Sequence, residues 1–341
     1  MGLMRKYAHI FLCGLLLAAC TAVPQPQEEL GAVLFTAGSE DPATTKAGVP
    51  YMARGSRFVC AMYYQASQGL DGVVTSTFQV DNEVGNAVGT PSFYWHNRLT
   101  HAFVALADYN NLDSCPAWDA SYDLTRGART SMSEQPDPIL ALTLARPAGS
   151  LPEANRVRLY FRHQLSQIQV NLKAGDDNSA RLEARQIDGV ELLGVSEEAY
   201  VPTELSADGT LEAPSARPVK LDDYSDAHLR ENKWGTSFPL FEMEEPAMGY
   251  LKSFHAIAFG RLSALRITWH EEEGNKVVHV STFELPEQNE SHVNIRDLRS
   301  GMRYVYDLEI RRGMLAVIRA EIKPWQQKEE LVYGADGTIT N

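Results

Sequence analysis

Apolar and polar residues alternate along most of this chain with a period of two, the spacing of a strand with one buried face. Over residues 157–165, Val157, Leu159, Phe161 and Leu165 share one parity, and Ile168, Val170 and Leu172 then carry the apolar side onward on the other. A shift of one residue near Ser166-Gln167 is what a β-bulge produces. Tyr304, Tyr306, Leu308 and Ile310 alternate in the same way, as do Ala316, Ile318, Ala320 and Ile322 after Arg312-Gly313. Residues 264–269 and 277–285 read as two strands joined through Glu271-Glu272-Glu273-Gly274-Asn275, whose Gly-Asn suits a tight hairpin turn. Earlier strand-like runs cover residues 32–36, 58–64, 72–80, 92–95 and 102–107, divided by turn residues. Residues 330–339 carry Asp336-Gly337 between short apolar pieces and predict a terminal hairpin. Helical periodicity is confined to a weak pattern at 222–233. The expectation is an all-β protein whose strands pack as sandwiches, because an antiparallel sheet with an apolar face needs something over it.

The start of the chain has a different pattern. Arg5 and Lys6 precede the apolar run Ile10-Phe11-Leu12-Cys13-Gly14-Leu15-Leu16-Leu17, which ends in Ala18-Ala19-Cys20. The run is well short of the roughly 20 residues a membrane-spanning helix needs, and it reads as an export signal. Leu17-Ala18-Ala19-Cys20 resembles the bacterial lipobox, which places the cut before Cys20 and a lipid on its sulfur. The expected organisation is a signal at residues 1–19, a polar, proline-bearing tether at 20–31, an N-terminal β-sandwich at 32–150 and a C-terminal one at 151–341. The boundary is placed at Ala145-Arg146-Pro147-Ala148-Gly149-Ser150-Leu151-Pro152.

A formal charge of -13, with basic residues scattered along the chain, argues against nucleic acid as a partner. Once Cys13 is removed and Cys20 lipidated, Cys60 and Cys115 remain, as a disulfide or as two thiols. No cysteine-histidine zinc spacing, nucleophile elbow, P-loop or dinucleotide glycine pattern occurs, so neither metal nor cofactor is expected and no catalytic residue is assigned. His270-Glu271-Glu272-Glu273 lacks the second histidine of a zinc-protease helix. His163 lies on the apolar parity of its strand and reads as a core histidine with one satisfied nitrogen. Asp176-Asp177 and Asp222-Asp223 read as solvated loop charges. Phe93-Tyr94-Trp95, with Trp118 and Tyr122, form either a stacking surface for a sugar or part of a core.

Phe161-Arg162-His163-Gln164-Leu165-Ser166-Gln167-Ile168-Gln169-Val170, then Leu298-Arg299-Ser300-Gly301-Met302-Arg303-Tyr304-Val305-Tyr306, then Ala320-Glu321-Ile322-Lys323-Pro324-Trp325 resemble, in that order, the fimbrillin-like family of exported lipoproteins related to type V pilins. Thr44-Thr45-Lys46-Ala47 and Tyr94-Trp95 before Phe103 are weaker echoes. The resemblance implies two transthyretin-like β-sandwich domains and a structural or adhesive, non-enzymatic role in surface fimbriae. It implies an outer-membrane location through the Cys20 lipid, other fimbrial subunits as partners, and host or bacterial surfaces as further ligands. In polymerising members an arginine-directed protease cuts after the first strand and a neighbour's strand fills the groove. Here Arg54 and Arg57 follow the opening strand and are the candidate cuts. A solitary surface lipoprotein binding glycans is the alternative.

Overall fold

The computed structural model describes residues 30–39, 51–65, 70–118, 121–125, 129–149, 152–175, 182–201, 237–270, 277–289, 291–311, 314–325, 332–333 and 339–340. The export signal, Cys20, the tether before residue 30, Thr44-Thr45-Lys46-Ala47, both acidic pairs, the helical pattern at 222–233 and the turn at 271–275 lie outside the described residues.

Among the described residues there is no α-helix. The strands are β1 (Leu34–Ser39), β2 (Arg57–Gln65), β3 (Leu70–Val80), β4 (Asn86–Thr90), β5 (His101–Asp108), β6 (Ser121–Asp123), β7 (Pro138–Ala145), β8 (Arg156–His163), β9 (Ser166–Ala174) and β10 (Ile187–Val195). They continue as β11 (Glu198–Tyr200), β12 (Ser237–Pro239), β13 (Phe241–Glu242), β14 (Lys252–Ala258), β15 (Gly260–His270), β16 (Val278–Glu284), β17 (Asp297–Leu298), β18 (Met302–Arg311), β19 (Met314–Pro324), β20 (Val332–Tyr333) and β21 (Ile339–Thr340).

The N-terminal body differs from the expected sandwich. Its seven strands run β1-β4-β3-β2-β5-β7-β8 and close into a barrel. The closing strand is β1, which pairs antiparallel with β4 and parallel with β8, so that it joins two edges a sandwich would leave apart. A parallel partner requires a long crossover, and the strands between β1 and β8 supply it. β8 completes this barrel although it lies beyond the Pro/Gly-bearing segment.

The remaining large sheets are open, β13-β14-β9-β18-β19 and β12-β10-β15-β16, with β17 beside β15. Their facing side chains, among them Ile168, Val170, Leu192, Leu265, Ile267, Trp269, Tyr304 and Tyr306, share one hydrophobic core. That core also takes one parity of the barrel wall: Val59 and Ala61 of β2, Ala102, Val104 and Leu106 of β5, and Leu140 of β7. The other parity, Cys60, Met62, Phe103, Ala105, Ala107, Ile139 and Ala141, fills the barrel. Burial on both faces explains why 58–63 and 102–107 are continuous apolar runs rather than alternating ones. Gln135 ties the bodies together at the backbone: its amide nitrogen donates to Leu124 O at 3.0 Å and Ile257 O at 3.2 Å, and its oxygen accepts from Ile257 N at 2.8 Å.

The parity change after His163 is a sheet crossing and not a bulge. β8 ends in the barrel, Gln164-Leu165 bend, and β9 begins as the middle strand of the other sheet. Among the described residues Cys60 and Cys115 are free thiols. Cys60 points into the barrel core, whereas Cys115 lies half-buried in a loop. Burial pushes both thiols up, with nearby Arg57 acting against this at Cys115. Tyr333 pairs with Ile339 in the terminal hairpin.

Candidate assembly site

The alternation of the opening run places Val33, Phe35 and Ala37 inside the barrel. Phe35 meets Phe78, Phe103 and Phe93 edge-on at centroid distances of 4.9, 5.3 and 6.1 Å. The register with β8 runs unbroken from Leu34↔Arg156 to Ser39↔Phe161. On the other side β1 is held sparingly, by Phe35↔Ala87 and Thr36↔Asn86 with β4 and by bridges at Ala32↔Tyr94 and Gly38↔Tyr51. Gly85, at φ +72°, lets the chain pass so near that Ala37 N reaches Gly85 O at 2.8 Å; a Cβ there would lie 2.4 Å from Ala37 O. Removing β1 therefore opens a slot between β4 and β8, bounded by backbone groups and floored by aromatic rings.

The two candidate arginines are placed differently. Arg54 is exposed in the turn that precedes β2, beside Gly55 at φ +94°. Arg57 also has an exposed side chain, but its backbone is already in the sheet, opposite Gln79, with its N–H on Leu112 O at 2.7 Å. Met52, buried against the same core as β1, lies before both.

A second cluster lies where β8 leaves the barrel. His163 is buried, as its parity predicted, and its Nδ1 lies 2.9 Å from Oδ1 of buried Asp137, while Nε2 has no partner. Trp325 stacks on the imidazole at 4.0 Å and 12°, and Tyr109 meets it edge-on at 5.2 Å. Trp325 N donates to Gly301 O at 2.7 Å, and Gly301 N to Leu165 O at 2.9 Å. The three segments that carried the family resemblance thus meet in space. Sequence spacing did not single out Asp137, 26 residues from its partner.

His101, at the other end of the barrel wall, is fixed in one tautomer. Its Nδ1–H donates to Leu99 O at 2.9 Å and Nε2 accepts from His96 N at 3.3 Å. Burial holds it below the ordinary 6.5, the Leu99 carbonyl opposing and His96 adding to the effect. Burial and Arg303 lower His255 likewise. The unfolded chain takes up these protons near pH 6.5 while the folded chain resists, so stability is lost as pH falls from 6.5 towards the folded values. Urea midpoints should drop between pH 7 and pH 5, and a His101→Asn variant, weaker at neutral pH, should drop less.

The aromatic group is mostly core. Phe93, Trp95 and Tyr122 are buried, Trp118 is half-buried, and Tyr94 alone is exposed, at 63%. His270 ends β15, with Nδ1 3.1 Å from Asp188 Oδ1. Among the described residues no three histidine, cysteine or acidic side chains gather as a metal site.

These features define a class, an all-β protein without a catalytic constellation among the described residues, whose first strand closes a barrel. The fimbrillin-like family model matches residues 51–325, and the chain belongs to that family. The chain is similar to a structure described as a cell adhesion protein from Bacteroides uniformis, with a TM-score of 0.53, 15% identity, and coverage of 86% of this chain and 98% of that one. It is similar also to one so described from Bacteroides ovatus, with a TM-score of 0.54, 13% identity, and coverage of 88% and 99%. No curated protein matches it. With its family the chain is a structural or adhesive fimbrial subunit of the cell surface and not an enzyme.

Proposed function

We propose that the chain is exported, lipidated on Cys20 at the outer membrane, and built into fimbriae by exchange of β1 for an extended strand of another subunit. Cleavage after Arg54 releases the segment that contains β1 and Met52, and the vacated slot accepts the incoming strand. The observation that carries this reading is that β1 alone closes the barrel and is followed by an exposed arginine turn. The backbone of the slot offers unpaired N–H and C=O groups, and the pockets of Val33, Phe35 and Ala37 set the spacing of apolar side chains in the replacement. Arg54 is preferred over Arg57 because a protease must draw its substrate into an extended conformation, and Arg57 would first have to leave β2.

N-terminal sequencing of the protein sheared from intact cells tests this. Arg54→Ala is expected to abolish the shortened form and Arg57→Ala to leave it unchanged. A shortened form that persists in the Arg54→Ala variant would overturn the assignment of the cut. Fimbriae formed by uncut chains would overturn strand exchange itself.

A further inference from the structure

Val33, Phe35 and Ala37 meet an apolar core, and such walls accept any strand of similar size and spacing. Choice among apolar strands must therefore come from the outward face of β1, where Leu34 and Thr36 are half-buried. One polar side chain crosses this face. Arg156, at the start of β8, lies opposite Leu34 in the parallel register, and its guanidinium reaches over β1 to the far side of the slot. Nη1 donates to Thr36 Oγ1 at 3.3 Å and also to Asn86 Oδ1 of β4. The two strands that flank β1 are thus joined across it by a side chain, with the Thr36 hydroxyl at the crossing.

The rest of the guanidinium is held away from the slot. Nε and Nη2 donate to Glu153 Oε2 at 3.2 and 2.7 Å, which leaves Nη1 to face β1. Asn155, 3% exposed, fixes the turn that carries both residues: Oδ1 accepts from Ala148 N at 2.8 Å and Gly149 N at 3.3 Å, and Nδ2 donates to Gly149 O at 2.8 Å. None of these bonds involves β1, so Arg156 is preorganised whichever strand lies in the slot. The Thr36 hydroxyl suits both neighbours, since it accepts from Nη1 and donates towards Asn86 Oδ1, 3.5 Å away. Valine has the same shape and can do neither, which leaves Nη1 covered and short of a partner. Lysine would set an ammonium against Arg156 and against Arg158, which lies opposite residue 36 in the register.

We propose that Arg156 is a specificity-determining residue of the slot, which selects strands with serine or threonine at the position of Thr36 and discriminates against those with an apolar or basic residue there. The inference rests on the strand-exchange reading and adds the chemistry of the incoming strand. From position 33 to position 37 that strand reads apolar, unrestricted, aromatic, hydroxyl, small. The inward side chains supply affinity, and the hydroxyl fixes which residue lies beside Asn86, so a strand that slides by one residue loses its partner.

The test uses the full chain nicked after Arg54 with an arginine-directed protease, a new N-terminus at Gly55 confirming the cut. Two labelled synthetic peptides compete with β1, one with the sequence of residues 30–39 and one carrying T36V, and fluorescence anisotropy reads their binding. Valine is a good strand former, so strand propensity does not favour the expected result. The unaltered peptide should bind about tenfold more tightly than the T36V peptide, the low end for a hydrogen bond to a charged group. In the Arg156→Met chain, which keeps an unbranched stem, the preference should fall to within about twofold. The uncut chain supplies a matching cycle: T36V should lower the urea midpoint when Arg156 is present and leave it nearly unchanged in the Arg156→Met background. Equal binding of the two peptides to the unaltered chain, a preference that survives Arg156→Met, or a midpoint that falls equally in both backgrounds overturns the role of Arg156 and leaves strand exchange standing. Failure of both peptides to bind overturns strand exchange, and the selection with it.

Discussion

Replacing Phe35 with alanine is expected to lower the unfolding free energy by about 3–5 kcal/mol, the usual cost of emptying a fully buried aromatic site. Phe35 touches three other phenylalanines and is 1% exposed, and the surrounding rings come from β3, β5 and the segment after β4, so no single element can move in to fill the space. In urea denaturation the midpoint should fall while the dependence on denaturant stays the same, because the surface exposed on unfolding is unchanged. Thr36, one residue on, turns away from this core and meets Arg156 Nη1 at 3.3 Å. Thr36→Ala should cost well under half as much. Equal losses at the two positions would mean that β1 is held by its backbone alone and that its side chains do not select what lies in the slot.

Asp137→Ala should be comparably damaging, at about 3–5 kcal/mol, because it leaves His163 buried without its partner. Burial pushes the Asp137 carboxyl above its ordinary 3.8, the nearby His163 and its hydrogen bond opposing. The folded chain thus holds this proton to a higher pH than the unfolded chain. The group's own contribution to stability is greatest below pH 3.8 and is lost as pH rises through the folded value. Asp137→Asn keeps an oxygen that accepts from Nδ1–H and should recover most of the alanine loss at neutral pH. If asparagine is as destabilising as alanine, the pair is held by charge rather than by the hydrogen bond. Trp325 fluorescence gives an independent readout, since its ring lies on the imidazole and should report any tilt of His163.

Much of the fold was legible because a period of two reports which side chains share a face. It gave β18 and β19 as two strands, which the structure pairs antiparallel, and it gave the inward parity of Val157, Leu159 and Phe161. Closure of the barrel was not legible. Parity specifies a buried side but not which strand lies alongside, and the β1–β8 pairing spans more than a hundred residues and carries no turn signal. The double burial of β5 was visible as an unbroken apolar run, yet such a run is equally what a half-buried strand with extra alanines looks like. At the candidate site, residue type identified His163 as core, whereas Asp137 reads in sequence as one more loop acid in Gln135-Pro136-Asp137-Pro138. The aromatic triplet shows the limit of composition: Phe93 and Trp95 face inward and Tyr94 outward, as alternation requires, so three adjacent rings do not make a platform.

The parallel seating of β1 on β8 also sets a schedule. During export β1 emerges early, but the strand it must lie on follows about 120 residues later, and pairings between such distant segments form slowly. Until β8 arrives, the antiparallel strands between them can assemble by local hairpins while the slot stands open. A newly exported subunit therefore passes through the same receptive state that cleavage is proposed to create later, at a time when other copies are being exported beside it. Its own β1 has the advantage of tethering, which keeps its effective concentration high. Weakening β1 by a change such as Phe35→Ala should thus raise premature association during export as well as lower stability afterwards.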